Sequence, residues 1–196
     1  MHKLVINDLM NIIEYEKVRN EYREELMLYK KNRRISLGPN ITITFENRRT
    51  MTFQIQEIMR AERLVHDENI QEEIDVYNSL LPQKNSLSAT LFIEVTEKRK
   101  IKPILNQFIG LTEGDTLFLE IGGKKIFAEF EAGREESDKI SSVHYVQFSI
   151  KQELIPFFKN DEDIKLKIDY KEYSHSQLLS NNFKLSLFND LAGNNG

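Results

Sequence analysis

The chain has 196 residues, 40% of them apolar and 30% charged, and its 31 acidic and 27 basic side chains leave a formal net charge of −4. This is the make-up of a folded domain with a core, and it excludes a disordered tail. The absence of cysteine excludes disulfides, thiolate nucleophiles, zinc fingers and cysteine-held clusters, and no apolar run approaches the ~18 residues of a membrane span.

The N-terminus has no apolar core of the secretory kind, so the expected location is the cytoplasm. Asn7 or Asp8 can cap a first helix, whose apolar stripe runs through Tyr15, Val18, Tyr22, Leu26 and Tyr29 at helical spacing. It ends in Lys30, Lys31, Arg33 and Arg34, cations that complement the negative end of a helix or contact an anion. Gly38-Pro39-Asn40 is a turn, and Ile41, Ile43 and Phe45 alternate with Thr42, Thr44 and Glu46 as in a half-buried strand. A second helix is expected from about Thr50 to His66, with Met51, Ile55, Ile58, Met59 and Val65 as its stripe. A third carries Ile70, Ile74, Tyr77 and Leu81 and stops at Pro82.

Strands dominate from there. Alternating runs lie at Ala89 to Val95, Leu117 to Ile121, Ile126 to Phe130, His144 to Ile150 and Ile164 to Tyr170. Gly122-Gly123 joins two of them as a hairpin, because glycine accepts the positive φ of such turns. Short helices are expected near Glu97 to Phe108 and Gln152 to Lys159, and Gly133 to Lys139 reads as a polar mobile loop. The fold class is α+β, a mostly antiparallel sheet of about six strands covered by N-terminal helices on one face. A single domain is expected over residues 1–172, helical over about 7–81 and strand-rich over about 88–170. Residues 173–196 are expected to form a tail, helical through Leu178, Leu179, Phe183 and Leu187 and then frayed.

Charge is uneven. Residues 1–66 hold 12 basic and 9 acidic side chains, whereas Asp67 to Pro82 holds five acids and no base. An acidic chain is poorly suited to general nucleic-acid binding, although Lys30 to Arg34 with Arg48 and Arg49 can meet an acidic partner.

The second and third helices carry most of the candidate chemistry. On a helical wheel Glu62 falls between Ile58 and Val65, on the inward side, where a carboxylate needs an arginine, a hydrogen-bond donor or a metal. Arg60 or Arg63 can supply an ion pair. His66, one turn on, can join Glu62 on one divalent metal ion. His144 shares a strand face with Val146, Phe148 and Ile150. It is either held by a backbone carbonyl in an ordinary core or part of a site with Glu62. Gln56, Glu57, Gln71, Glu72, Tyr77 and Asn78 complete the candidate binding set. Paired Glu-x-x-His signatures, two-histidine zinc motifs, nucleophile elbows and phosphate loops are all absent.

The runs Leu37-Gly38-Pro39-Asn40, Phe45-Glu46-Asn47-Arg48 and Gln54-Ile55-Gln56-Glu57-Ile58-Met59-Arg60-Ala61-Glu62-Arg63 resemble an uncharacterised bacterial domain-of-unknown-function family, DUF3501. Ile70-Gln71-Glu72-Glu73, Tyr77-Asn78, Leu81-Pro82, Ala89-Thr90-Leu91-Phe92-Ile93-Glu94 and Ser142-Val143-His144-Tyr145 continue the resemblance. It covers roughly residues 7 to 170 and leaves out the tail after Ser174. Members tend to be encoded beside rubrerythrin-like and iron–sulfur proteins, so the resemblance implies a redox or peroxide-stress setting, and it implies no catalytic residues. The leading expectation is a non-enzymatic cytoplasmic accessory protein that docks a rubrerythrin-like or iron–sulfur partner. The alternative is a small metal-binding or catalytic protein with a Glu/His/Arg pocket between helices and sheet.

Overall fold

The computed structural model describes residues 2–132, 135–136, 139–160 and 162–193. Its centre is an eight-stranded antiparallel sheet that curls into a nearly closed barrel. The strands are β1 (Arg34–Leu37), β2 (Ile41–Glu46), β3 (Ser86–Ile93), β4 (Leu117–Ile121), β5 (Lys124–Phe130), β8 (Val143–Ser149), β9 (Ile164–Tyr170) and β10 (Tyr173–Leu178). They follow the order β1-β2-β3-β8-β5-β4-β9-β10. A separate two-stranded ribbon is formed by β6 (Glu135–Glu136) and β7 (Lys139–Ile140). Residues 133, 134, 137 and 138 of the expected polar loop lie outside the described residues.

Period-two alternation fills the barrel. Ile41, Ile43 and Phe45 of β2, Leu87, Ala89 and Leu91 of β3, Leu117 and Leu119 of β4, Val146 and Phe148 of β8, and Ile164, Leu166 and Ile168 of β9 all turn inward and are buried. α5 (Asn181–Leu191) starts at Ser180, whose hydroxyl accepts the Phe183 amide, and drives Phe183 and Leu187 into the same core. The Phe183 ring stands edge-on to Phe45 at 5.7 Å. A 3₁₀ helix, Gln152–Phe158, adds Leu154 and Phe158. α4 (Ile101–Gln107) leads to Phe108 and Leu111, also buried there.

Three helices lie outside the wall. α1 (Ile12–Lys30) is capped by Asn11, not by Asn7 or Asp8; Ile6–Asp8 form a 3₁₀ turn and Asp8 pairs with Arg48 at 2.7 Å. α2 is Arg48–Glu62 and α3 is Asp67–Leu80. Met51, Ile55 and Met59 of α2 and Ile70 and Ile74 of α3 build a second, smaller core with Leu4, Leu80, Leu81 and the outward ring of Tyr145. This double cover explains why every residue of β2 is buried, Thr42, Thr44 and Glu46 included.

The expected sheet was two barrel strands short. β1 is only four residues long. β10 reads Tyr-Ser-His-Ser-Gln-Leu, with almost no apolar side to reveal it. These two strands meet at the seam. The Tyr173 hydroxyl closes it, donating to the Leu37 carbonyl at 2.5 Å and accepting the Asn40 and Ile41 amides at 3.1 and 3.2 Å. The expected tail is therefore corrected: residues 173–178 are a barrel strand, and only Asn181–Leu191 is helical. α2 also stops earlier than expected. Arg63 adopts the left-handed conformation at φ 56°, which turns the chain away and leaves Val65 66% exposed.

Candidate functional site

The candidate residues of α2 and α3 divide into three groups. The first binds the chain's own N-terminal arm. Gln56 is 1% exposed; its Oε1 accepts the Met10 amide at 2.6 Å and its Nε2 donates to the Met10 carbonyl at 3.0 Å. Asn78 does the same for Leu4, at 2.8 and 3.0 Å. A primary amide offers one acceptor and a donor side by side, so each replaces the partner peptide that a strand would supply. The arm thus lies along α2 and α3, with Leu4 buried and Ile6, Leu9 and Ile12 packed against the second core.

The second group makes ion pairs between α1 and α2. Glu57 accepts both Arg19 guanidinium bonds at 2.8 Å and the Tyr15 hydroxyl at 2.7 Å. The Arg19 donors, opposed by burial and helped by Tyr15, hold the Glu57 carboxyl below the usual carboxylate range. Burial, then the adjoining carboxylate, pushes the Tyr15 hydroxyl far up. Arg60 pairs with Glu16 at 2.6 Å.

The third group is turned to solvent. Glu62 is the last residue of α2 and is exposed, as are Arg63, His66, Gln71 and Glu72. The inward placement of Glu62 is therefore corrected. The inward stripe keeps Met51, Ile55 and Met59 of the expected one but adds Gln56 on one flank, while Ile58 is only half-buried and Val65 is exposed. Gln71 donates to Asp75 one turn on, and Tyr77 is half-buried beside the second core. Glu73 feels its surroundings: burial first, then Glu62 and Glu72, raise its carboxyl.

His144 does turn inward and is 1% exposed, but on the opposite side of the barrel wall from α2. Its Nε2 lies 2.7 Å from the Ser141 carbonyl, which can only accept, so that nitrogen carries the proton. Phe130 stands edge-on to the imidazole at 6.4 Å. Glu62 and His144 thus share no site. Among the described residues no three His, Cys, Asp or Glu side chains gather where they could hold a metal ion. The residues present do not fit the metal centre that Glu62, His66 and His144 were expected to build.

One buried polar cluster lies outside the candidate binding set. Arg33, just past α1, is 0% exposed and forms an ion pair with Asp190 of α5, itself 1% exposed at the side chain. Arg33 also donates to the Phe45 carbonyl and the Ser186 hydroxyl, each at 2.9 Å. Asn47, the α2 N-cap, donates to Asp190 at 2.8 Å and to the Tyr29 hydroxyl at 2.7 Å. With Lys30, Lys31 and Arg34, Arg33 was expected to complement the negative end of the first helix or contact an anion, and it is buried against a carboxylate of this chain. Nothing local in the sequence separates it from its neighbours, because its partner is 157 residues away.

Its neighbours stay outside. The C-terminal half of α1 and the start of β1 form an open groove lined by Arg23, Lys30, Lys31 and Arg34, one acid, Glu24, and the apolar Met27 and Leu28. Both apolar side chains are 60% exposed.

Comparison with known proteins supports the sequence resemblance. A crystal structure of a novel protein of unknown function from Burkholderia pseudomallei K96243 has a TM-score of 0.89 to this chain at 26% identity, over 97% of this chain and 100% of that one. No curated protein matches. The family described as protein of unknown function, DUF3501, matches residues 3–191, so the match reaches past residue 170 to take in β10 and α5. On a match of that span, the chain belongs to the DUF3501 family.

Proposed function

We propose that the protein is a non-enzymatic cytoplasmic accessory protein that docks an acidic protein surface through the groove of α1 and β1. The observation that carries this reading is the pairing of Met27 and Leu28, both well exposed, with a surround of four cations and a single acid. Exposed apolar area ringed by one sign of charge is the anatomy of a recognition surface: the apolar centre supplies affinity and the charges supply orientation and encounter rate. Of the polar residues elsewhere that invited a catalytic reading, Gln56, Asn78, Glu57 and Arg60 are engaged in holding the fold together, and Glu62, Arg63, His66, Gln71 and Glu72 are spread over an exposed surface. The redox or iron-related setting implied by family resemblance supplies the partner class, a rubrerythrin-like or iron–sulfur protein.

The test is titration of a purified rubrerythrin-like protein from the same source against labelled full-length chain at low and high salt. Salt-sensitive binding is expected, with Lys30→Glu combined with Lys31→Glu weakening it by about tenfold or more. Binding indifferent to both salt and charge reversal, or no binding at all, overturns the proposal. Retention of duplex DNA by the wild type alone would replace it with a nucleic-acid reading.

A further inference from the structure

A second surface, independent of α1, lies between the helices and the sheet. Register aligns four polar residues across the outer face of the barrel: Glu46 of β2 opposite Ser88 of β3, Ser88 opposite Gln147 of β8, and Gln147 opposite Glu129 of β5. The ends of this row differ. Glu46 and Ser88 are 2% and 4% exposed, whereas Glu129 is exposed. Over the row, Met51 of α2 and Leu80 at the end of α3 leave a cavity of about 220 Å³, floored by Ser88, Gln147 and Tyr145 and edged by Glu129 and Glu131.

Two buried atoms here are not satisfied. Among the described residues, Ser88 Oγ, lining the cavity, has no hydrogen-bond partner, and neither does Oε2 of Glu46 across the ladder from it; the other Glu46 oxygen accepts from Thr90 at 3.1 Å. An unmade bond at a buried polar atom carries an uncompensated desolvation cost, so such atoms persist where something supplies the missing partner. The lining is rich in groups that can accept: the hydroxyls of Ser79, Ser88 and Tyr145, the Gln147 amide carbonyl and two rim carboxylates. Among the described residues, no lysine or arginine lines it. Met51 and Leu80 give the opposite wall an apolar character.

We infer that this cavity binds a small protonated amine with a short apolar chain. An ammonium group has three N–H donors and no acceptor, which matches a site of acceptors facing a carboxylate rim. The apolar chain meets Met51 and Leu80. A cavity of about 150 Å³ admits benzene, so this one has room for such a ligand. A free amine and the lysine side chain of a partner share this chemistry.

The experiment is calorimetric and NMR titration of the full chain with n-butylamine, Nα-acetyl-lysine amide and n-butanol. Both amines are expected to bind and to move the amide signals of Tyr145 and Gln147, while the alcohol of similar shape does not. Tighter binding of n-butylamine marks a free-amine site, and tighter binding of the lysine derivative marks a lysine-docking site. Glu129→Gln combined with Glu131→Gln, exposed positions whose change leaves the core intact, is expected to weaken the amine about tenfold. Ser88→Ala is expected to weaken it less while keeping the melting temperature. Absence of binding by either amine overturns the inference. So does equal binding of amine and alcohol, or binding unaltered in the double variant.

Discussion

Asp190→Ala would remove the only carboxylate that Arg33 pairs with among the described residues, and both side chains are sealed from water at 0% and 1% exposure. The arginine would keep its charge inside the protein with the Phe45 carbonyl and the Ser186 and Tyr29 hydroxyls as its remaining neutral support. Breaking a buried ion pair on one side costs about 3–5 kcal/mol. The lost bond from Asn47 falls within that figure. At this chain length the change corresponds to a fall in melting temperature of about 10 °C. Urea unfolding with linear extrapolation measures it directly, with Glu94→Ala as control. Glu94 and its partner Arg34 are 44% and 52% exposed, so that substitution is expected to stay within about 0.5 kcal/mol. Arg33→Met combined with Asp190→Leu is expected to recover most of the loss, because apolar side chains of similar size remove the desolvation cost along with the charge. A loss below about 1 kcal/mol for Asp190→Ala would refute the reasoning, since only a solvated pair is worth so little.

Gln56→Ala and Asn78→Ala are each expected to cost about 1–3 kcal/mol and to free the N-terminal arm, read as faster hydrogen exchange at the Met10 and Leu4 amides respectively. Glu57→Gln is expected to flatten the acid side of the stability profile. The folded carboxyl lies below its ordinary 4.5, so its contribution is complete above that pH and is lost as pH falls through the lower folded value. Urea midpoints measured between neutral pH and pH 3 should therefore fall less in the variant than in the wild type. Gly38→Ala is expected to cost more than about 1 kcal/mol, because φ is +74° and the new Cβ would lie 2.4 Å from the His175 ring and 2.7 Å from the Tyr173 hydroxyl. Gly123→Ala, at φ +76° with open space around it, is expected to cost less; thermal melts of the two variants compare them.

Elements with strong local signals were legible. The alternation of β9, the glycine pair between β4 and β5, and the stripe of α3 all lie where periodicity put them. What escaped depended on distant partners. β1 and β10 have little apolar pattern of their own and exist because each has a neighbouring strand to pair with. Glu62 was misplaced because Ile58 and Val65 were counted as core, which shifted the inward face of α2 around the helix axis. Gln56 and Asn78 stood out as polar members of the candidate binding set, and what they hold is this chain's own backbone. His144 was legible as an inward histidine held by a carbonyl, because its strand neighbours Val146 and Phe148 declare the face. Arg33 was not, since a lone buried arginine among solvated ones differs only in where the fold places it.

The two strands that meet at the barrel seam stand at opposite ends of the order of synthesis. β1 is made early, yet its closing contact, the hydroxyl of Tyr173, is added more than a hundred residues later. α5, which plugs the core, comes later still. While the chain is on the ribosome, β2 and β3 can pair and the arm can settle on α2 and α3, but one side of the ring stays unzipped. During that interval the edge of β1 offers bare backbone groups to any strand nearby, and the arginines and lysines beside it set positive charge along that edge, the device by which sheet proteins discourage edge pairing.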